Sequence, residues 1–297
     1  MDTTTARRSV AVLGMGTMGS AMARRLLGAG FATTVWDRSP GALEGLVSDG
    51  ARAAASPADA LRGASVVITM LPTLDVVRAV VLAPDVTAAF EPGAHWAQMG
   101  TIGVPETMSL ADELAGRRPD VVFVDAPVSG SKGPAEQGQL VILASGPTEA
   151  AAVLDPVFDV LGHKTVWVGD AGRGSALKLV VNTYLAVLIE GVAEALAVAD
   201  HLGLDHGALD EAIGAGPLAS PAAMAKLKKM EDGEYSTEFA LRWALKDVDL
   251  TLEAAGDARL PLVTALSAQW HEAVDRGLGD RDLSAARLAL GAGASAG

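Results

Sequence analysis

The sequence predicts an α/β protein with an N-terminal doubly wound parallel sheet followed by an all-α C-terminal domain. Three observations predict this class: short apolar strands alternate with helical segments up to residue 168, a glycine-rich turn follows the first strand, and apolar residues after 175 have helical spacing. We therefore expect one domain over 1–168 and a second over 169–290 that begins with a long interdomain helix. Residues 291–297 are expected to form a flexible tail.

Composition narrows the possible functions. Half of the 297 residues are hydrophobic, which is enough for two ordinary cores. The net charge of -13 disfavours nucleic acid and anionic membranes as partners. The chain has no cysteine, and its five histidines lack the spacing of metal ligands, so neither thiolate chemistry nor a metal site is predicted. No secretion signal or membrane span is recognised, and we expect a cytoplasmic protein.

The first apolar run, 9–13, predicts a buried strand. It leads into G-M-G-T-M-G at 14–19, then a helix that ends at a glycine, then a second strand over 32–37. Asp37 closes that strand 18 positions after Gly19. A glycine turn between strand and helix, with an acidic residue at this distance, is the fingerprint of a dinucleotide-binding Rossmann fold. The pyrophosphate would lie at the helix N-terminus. The predicted cofactor-binding residues of this glycine turn are Gly14, Gly16, Thr17, Met18 and Gly19.

The end of the second strand gives conflicting signals about the cofactor. Asp37 suits the adenosine ribose of NAD, whereas Arg38 and Ser39 suit the 2′-phosphate of NADP. Asp37 would repel that phosphate if its side chain faced it. Because an arginine followed by a hydroxyl is a good phosphate clamp, the sequence slightly favours NADP(H) over NAD(H).

Further buried strands continue the alternation. They are predicted over 65–71, 94–99, 121–124, 139–145 and 164–168. Doubly wound sheets bind ligands at the carboxyl ends of their strands. We therefore expect Leu71, Pro72, Gly100 and Thr101 to lie along the cofactor.

The joint between the two domains is G-D-A-G-R-G-S-A-L-K-L-V-V-N at 169–182. Its glycine loop runs into a largely apolar helix on which Lys178 and Asn182 lie one turn apart on the same face. Two interpretations of Lys178 stay open. In the first, the aliphatic stem of Lys178 packs against the protein while its ammonium reaches water. In the second, partial desolvation lowers the pKa of Lys178 and makes it a catalytic acid and base.

A second polar segment, D-A-P-V-S-G-S-K-G-P-A-E-Q-G, occupies 125–138. Within it Ser129, Gly130 and Ser131, here called the serine turn, offer successive N–H groups and hydroxyls that can hold a carboxylate. Lys132 follows them and is typical of a solvated loop lysine. The alternative is a surface loop that binds no ligand.

The C-terminal domain is predicted to be helical throughout. Its helices are expected to run to about residue 202 and then over 205–213, 221–230, 237–255, 261–276 and 283–290. So much Leu, Val and Ala in an all-helical half predicts burial against a second copy, as a homodimer.

Taken together, these motifs resemble the β-hydroxyacid dehydrogenase family, which includes 3-hydroxyisobutyrate dehydrogenases and tartronate and succinic semialdehyde reductases. The resemblance covers nearly the whole chain. It depends on four ordered motifs: G-x-G-x-M-G at 14–19, D-x-P-V-S-G at 125–130, G-x-x-G-x-G-x-x-x-K-x-x-x-N at 169–182, and K-D-V-D-L at 246–250.

The resemblance implies an NAD(P)-dependent oxidoreductase in which Lys178 is the acid and base. It further implies that Asn182 holds the substrate and that Ser129 and Gly130 bind the substrate carboxylate. Thr101 would lie between nicotinamide and substrate, Lys246 near the cofactor, and Phe239 in the pocket wall.

Two departures from the family pattern are visible. Gly100 stands where the family often has serine, and Ser131 where it often has a second glycine. The form G-S-K-G-P-A-E at 130–136 looks most like the glyoxylate and succinic semialdehyde reductase branch. Two alternative functions stay open. One is an imine reductase; such enzymes share the glycine turn but usually lack the lysine and the P-V-S-G segment. The other is a nonenzymatic nucleotide-binding scaffold.

Overall fold

A computed structural model of the protein describes residues 9–290. The flexible tail predicted over 291–297 lies outside them. The first half contains a six-stranded parallel sheet in the order β3-β2-β1-β4-β5-β6, which confirms the predicted doubly wound sheet, although β3 was not predicted. Its strands are β1 Ser9–Leu13, β2 Ala32–Trp36, β3 Arg52–Ala53, β4 Val66–Thr69, β5 His95–Gln98 and β6 Val122–Asp125.

Helices cover both faces of this sheet. Val10 and Val12 of β1 belong to one apolar core, and Ala11 and Leu13 to another, because successive side chains of a strand point to opposite faces. The helices are α1 Thr17–Gly28, α2 Glu44–Ser48, α3 Pro57–Leu61, α4 Leu74–Val81, α5 Pro84–Ala88, α6 Val104–Arg117, α7 Lys132–Gln137 and α8 Ala151–Leu161. Two 3-10 turns lie at Pro40–Leu43 and Thr148–Ala150.

The last strands of this half form a sheet of their own. In it β7 Val128–Ser129 runs antiparallel to β8 Leu140–Ala144, which pairs in parallel with β9 Gly162–Trp167. An isolated bridge between Asp125 and Ser145 joins the end of β6 to the end of β8. The sequence predicts β8 and β9 as strands but does not show that they leave the main sheet.

The next helix, α9 Arg173–Leu202, is 30 residues long. By length and composition alone it could cross a membrane, although the sequence analysis recognises no such span. About 44% of its most apolar window is buried inside the protein.

Four more helices and two irregular turns follow. They are α10 His206–Gly214, α11 Pro221–Asp232, α12 Leu241–Ala255, α13 Pro261–Ala273, a π turn over Val274–Leu278 and a 3-10 segment over Leu283–Ala289. The prediction of helix from 237 is wrong for its first turn, because Glu238 and Phe239 donate their N–H groups to Asp282 instead. The helix predicted over 283–290 is a 3-10 segment.

Contacts divide the chain into two compact units between Lys178 and Leu179. The division falls ten residues beyond the predicted domain limit at 168 because the first turn of α9 hydrogen-bonds to Asp125 and Ser145 of the first unit.

Candidate active site

The glycine turn has the geometry of an anion-binding helix start. A Cβ on Gly19 would lie 1.9 Å from the carbonyl oxygen of Gly14, so the turn closes only with glycine there. A Cβ on Gly16 would meet no atom within 4 Å. Helix α1 begins at Thr17 and Met18 with no side-chain cap and no acidic residue in its first turn. Its N–H groups and positive dipole end therefore fit a dinucleotide pyrophosphate.

Asp37 holds this turn to the end of β2. Its Oδ2 accepts the N–H of Met15 at 2.7 Å, and its Oδ1 accepts the N–H of Ser39 at 2.8 Å. Both carboxylate oxygens thus bind backbone donors. Arg38 and Ser39 are exposed beside it.

The segments that follow β4 and β5 lie on the same edge of the sheet as the glycine turn. Leu71 is buried, Pro72 is exposed and Thr101 is half-buried. Parallel strands place their carboxyl ends on one edge, so these residues lie on the edge that carries the glycine turn.

A buried amide shapes the turn that leads to Thr101. Gln98 donates to the carbonyl oxygen of Gly100 at 2.7 Å and accepts from the Thr69 hydroxyl at 2.8 Å. A Cβ on Gly100 would lie 2.2 Å from the carbonyl oxygen of Leu71. This backbone therefore excludes the serine that the family often has at that position.

The serine turn follows β7. Ser129 ends that strand, Gly130 is exposed with φ of +132°, and Ser131 is the N-cap residue of α7. The Ser131 side chain makes no capping bond to this helix. Lys132 is exposed and lies 3.9 Å from Glu136 in a pair along the helix.

Lys178 is buried. Its exposed fraction is only 8%. It lies in the second turn of α9, within the unit that carries the glycine turn and the serine turn. The same helix carries Asn182 one turn further on.

In the second unit Asn182 belongs to a polar network. It is 5% exposed, and its Nδ2 donates to Oδ2 of Asp247 at 2.6 Å. Nζ of Lys246 lies 3.2 Å from Oδ1 of the same carboxylate and 6.0 Å from the ring centroid of Trp243. The carboxylate of Asp247 therefore joins two of the predicted site residues.

Phe239 is half-buried in the second unit. It lines a small cavity together with Asn182 and Trp270. Its N–H donates to Asp282 at 3.2 Å, which fixes the segment before α12. Phe239 thus lies beside Asn182.

Sequence reasoning missed two carboxylates. Asp247 is part of the quoted K-D-V-D-L motif, but only its lysine was assigned a role. Asp125 ends an apolar strand and is fully buried, and burial raises its pKa against the effect of the donors around it. An acidic residue at the end of a buried strand was the available signal.

Within residues 9–290, no group of three or more His, Asp or Glu side chains could hold a metal ion.

Comparisons with known proteins agree with this geometry. Residues 9–169 match the family model of the NAD binding domain of 6-phosphogluconate dehydrogenase. Residues 172–290 match the model described as NAD-binding of NADP-dependent 3-hydroxyisobutyrate dehydrogenase. Glyoxylate/succinic semialdehyde reductase 1 of Arabidopsis thaliana is 34% identical over 282 residues, which cover 93% of this chain and 96% of the relative.

Solved structures extend the comparison. A 3-hydroxyisobutyrate dehydrogenase from Salmonella typhimurium superposes with a TM-score of 0.87 at 28% identity, covering 95% of this chain and 99% of the other. An imine reductase from Myxococcus stipitatus gives a TM-score of 0.68 at 22% identity, over 95% of this chain and 99% of the other. At that identity the second likeness shows the fold alone.

Proposed function

We propose that this member of the β-hydroxyacid dehydrogenase family reduces short aldehydes or 2-oxo acids that carry a carboxylate. The chain is an NAD(P)-dependent oxidoreductase that acts on CH–OH groups. One observation carries the proposal. Lys178 is buried in the compact unit that also holds the glycine turn and the serine turn. A desolvated ammonium is a suitable proton donor for a carbonyl oxygen.

The serine turn supplies the carboxylate site in this proposal. The hydroxyls of Ser129 and Ser131 and the N–H of Gly130 donate hydrogen bonds to the substrate carboxylate. A net charge of -13 repels anions at long range, so these local donors have to provide the affinity.

Proton transfer is assigned to Lys178. The bound nicotinamide supplies or takes up the hydride. During reduction the Lys178 ammonium donates its proton to the substrate carbonyl oxygen, and during oxidation the neutral amine accepts it back. Asn182 holds the substrate from the next turn of the helix, and Asp247 fixes the orientation of its amide.

Glyoxylate and succinic semialdehyde are the proposed substrates. A 34% identical relative carries both in its name, and the G-S-K-G-P-A-E segment at 130–136 looks like that branch. Both molecules combine an aldehyde with a carboxylate, the two groups that Lys178 and the serine turn would contact.

NADPH is the proposed cofactor. Both oxygens of Asp37 accept backbone N–H groups, whereas Arg38 and Ser39 are exposed at the end of β2. This leaves a guanidinium and a hydroxyl for the 2′-phosphate.

The predicted homodimer and cytoplasmic location stay proposals. The homodimer is supported by an apolar stripe on the outer side of α9, where four large side chains are exposed by more than half: Val180, Tyr184, Val198 and Leu202. Stripes of this kind are typical of protein interfaces. Sedimentation velocity at micromolar concentration tests the dimer.

The reaction is tested by initial rates of NADPH and NADH oxidation, in parallel, with glyoxylate, succinic semialdehyde, tartronate semialdehyde and a cyclic imine. We expect turnover with the acid-bearing aldehydes and a higher kcat/KM with NADPH. Turnover with the imine alone would contradict the role of the serine turn. Cofactor binding without any turnover would favour the scaffold alternative.

A further inference from the structure

The carboxylate of Asp125 lies at the start of α9. The residue is fully buried, and its side chain accepts four hydrogen bonds. Oδ2 accepts the N–H of Ser175 at 2.7 Å, the N–H of Gly172 at 3.2 Å and the Ser145 hydroxyl at 3.0 Å. Oδ1 accepts the Ser175 hydroxyl at 2.7 Å.

Three of these four hydrogen bonds come from the start of α9, whose first N–H groups have no acceptors in the helix, and the fourth comes from Ser145 after β8. The first N–H groups of any helix have no acceptor inside the helix. Here Asp125 accepts from Ser175, and the Ser145 hydroxyl accepts from Gly174 at 2.9 Å. A Cβ on Gly174 would lie 2.2 Å from the carbonyl oxygen of Leu143, so this turn packs directly on β8. Asp125 is thus an N-cap supplied by a strand 50 residues earlier in the chain.

Asp125 is linked to the two segments that carry the proposed substrate contacts, Lys178 and the serine turn. Ser175 precedes Lys178 by three positions, within the same helix turn. Ser129 follows Asp125 by four positions, and the backbone of Asp125 is fixed by two hydrogen bonds to Ser145, of 3.0 and 2.7 Å. The carboxylate therefore links the helix turn that carries the proton donor to the segment that carries the serine turn.

We infer that Asp125 is a positioning residue that sets the place of the Lys178 ammonium relative to the serine turn. The inference rests on the proposed function, because it assigns the reaction geometry to that pair. A proton donor must lie within hydrogen-bond reach of the reacting oxygen, and a displacement of about 1 Å lowers turnover by about 10²-fold.

The main test is Asp125→Asn, which preserves the volume but replaces one acceptor oxygen with an amide nitrogen. At least one of the four donors then loses its acceptor. We expect kcat to fall by about ten- to hundredfold, with the NADPH dissociation constant within about twofold of wild type. Amide hydrogen exchange of peptides spanning 172–180 should speed up.

Glu190→Gln is the matched control. It makes the same carboxylate-to-amide change at another buried acid, which lies on α9 itself and accepts from Trp270 and Gln269 within the second unit. A purely structural role predicts similar kinetics for both variants. The positioning role predicts that Glu190→Gln keeps kcat within about twofold while Asp125→Asn does not.

Ser175→Ala covers the case in which Asp125→Asn fails to fold. It removes the hydroxyl bond to Oδ1 of Asp125 and the contact with the Thr107 hydroxyl but keeps the backbone bond to Oδ2. We expect a smaller loss of kcat, of about three- to tenfold, at unchanged NADPH affinity. An unchanged kcat in the folded variants, with turnover in the wild type, would overturn the positioning role alone. A wild type without turnover on any acid-bearing aldehyde would overturn the proposed function and this inference with it.

Discussion

The two compact units bury their carboxylates in different ways. In the first unit neutral donors surround Asp125: two N–H groups of one helix turn and two serine hydroxyls. In the second unit Asp282 is fully buried 2.9 Å from the ammonium of Lys226, which also pairs with Glu238 at 3.0 Å. Burial alone would raise the pKa of Asp282, but Lys226 and Ser284 hold it below the ordinary value.

The difference indicates two uses of buried charge. Hydrogen bonds from backbone groups fix the direction of a helix start, and so the place of the side chain one turn later. An ion pair between side chains neutralises a charge that would otherwise be costly to bury. We therefore expect substitution of Asp125 to change kinetics, and substitution of the Lys226–Asp282 pair to change stability.

The largest effect is expected from Gly19→Ala. Its methyl group would lie 1.9 Å from the Gly14 carbonyl oxygen, so the glycine turn cannot keep its shape. NADPH affinity, measured by fluorescence titration, should fall by more than about 100-fold. The control is Gly28→Ala at the end of α1, where a Cβ meets no atom within 4 Å. Equal affinity of the two variants would contradict the assigned role of the turn.

The next effect is on stability. Lys226→Met leaves Asp282 without its cation, and loss of one partner of a buried pair costs about 3–5 kcal/mol. Thermal unfolding monitored by circular dichroism should show a lower midpoint for the second unit. Lys228→Met is the control, because its pair with Asp232 is exposed and screened by solvent. A similar midpoint for both variants would refute the importance of the buried pair.

Ser129→Ala tests the serine turn. A hydrogen bond to a charged group contributes about 1.5–3 kcal/mol, so KM for an acid-bearing aldehyde should rise about ten- to hundredfold. NADPH affinity should not change. Ser48→Ala, an exposed serine of α2, serves as the control. A KM equal to that of the control would exclude Ser129 from the carboxylate site.

The smallest effect is a pH dependence in the second unit. Burial, helped by the charge of Glu194, raises the pKa of Glu190 above its ordinary value, while Trp270 and Gln269 oppose the rise. A raised carboxyl pKa means that the folded state binds more protons, so its contribution to stability is lost as pH increases through that pKa. The stability of the wild type relative to Glu190→Gln should therefore increase as pH falls from 7 toward 5. A difference that is constant with pH would contradict this.

Local patterns explain what the sequence predicted well. The strand over 9–13 and the glycine turn each depend on neighbouring residues, and β1 lies at Ser9–Leu13 as predicted. Contacts between distant segments explain the errors. The chain before α12 is not helical because Asp282, more than 40 residues later, accepts the N–H groups of Glu238 and Phe239.

The candidate site shows the same limit. Lys178 and Asn182 could be recognised because they stand one helix turn apart in an apolar run. Asp125 and Asp247 could not be assigned, since their partners lie 50 and 65 residues away in the chain. No spacing within either motif shows those partners.

The most direct test of the account is single-turnover reduction of an acid-bearing aldehyde by Lys178→Met, measured with prebound NADPH. The substitution keeps an unbranched side chain and removes the proton. The account predicts a rate about 10²- to 10⁴-fold below wild type at unchanged NADPH affinity. A rate within about tenfold of wild type would show that Lys178 is not the proton donor.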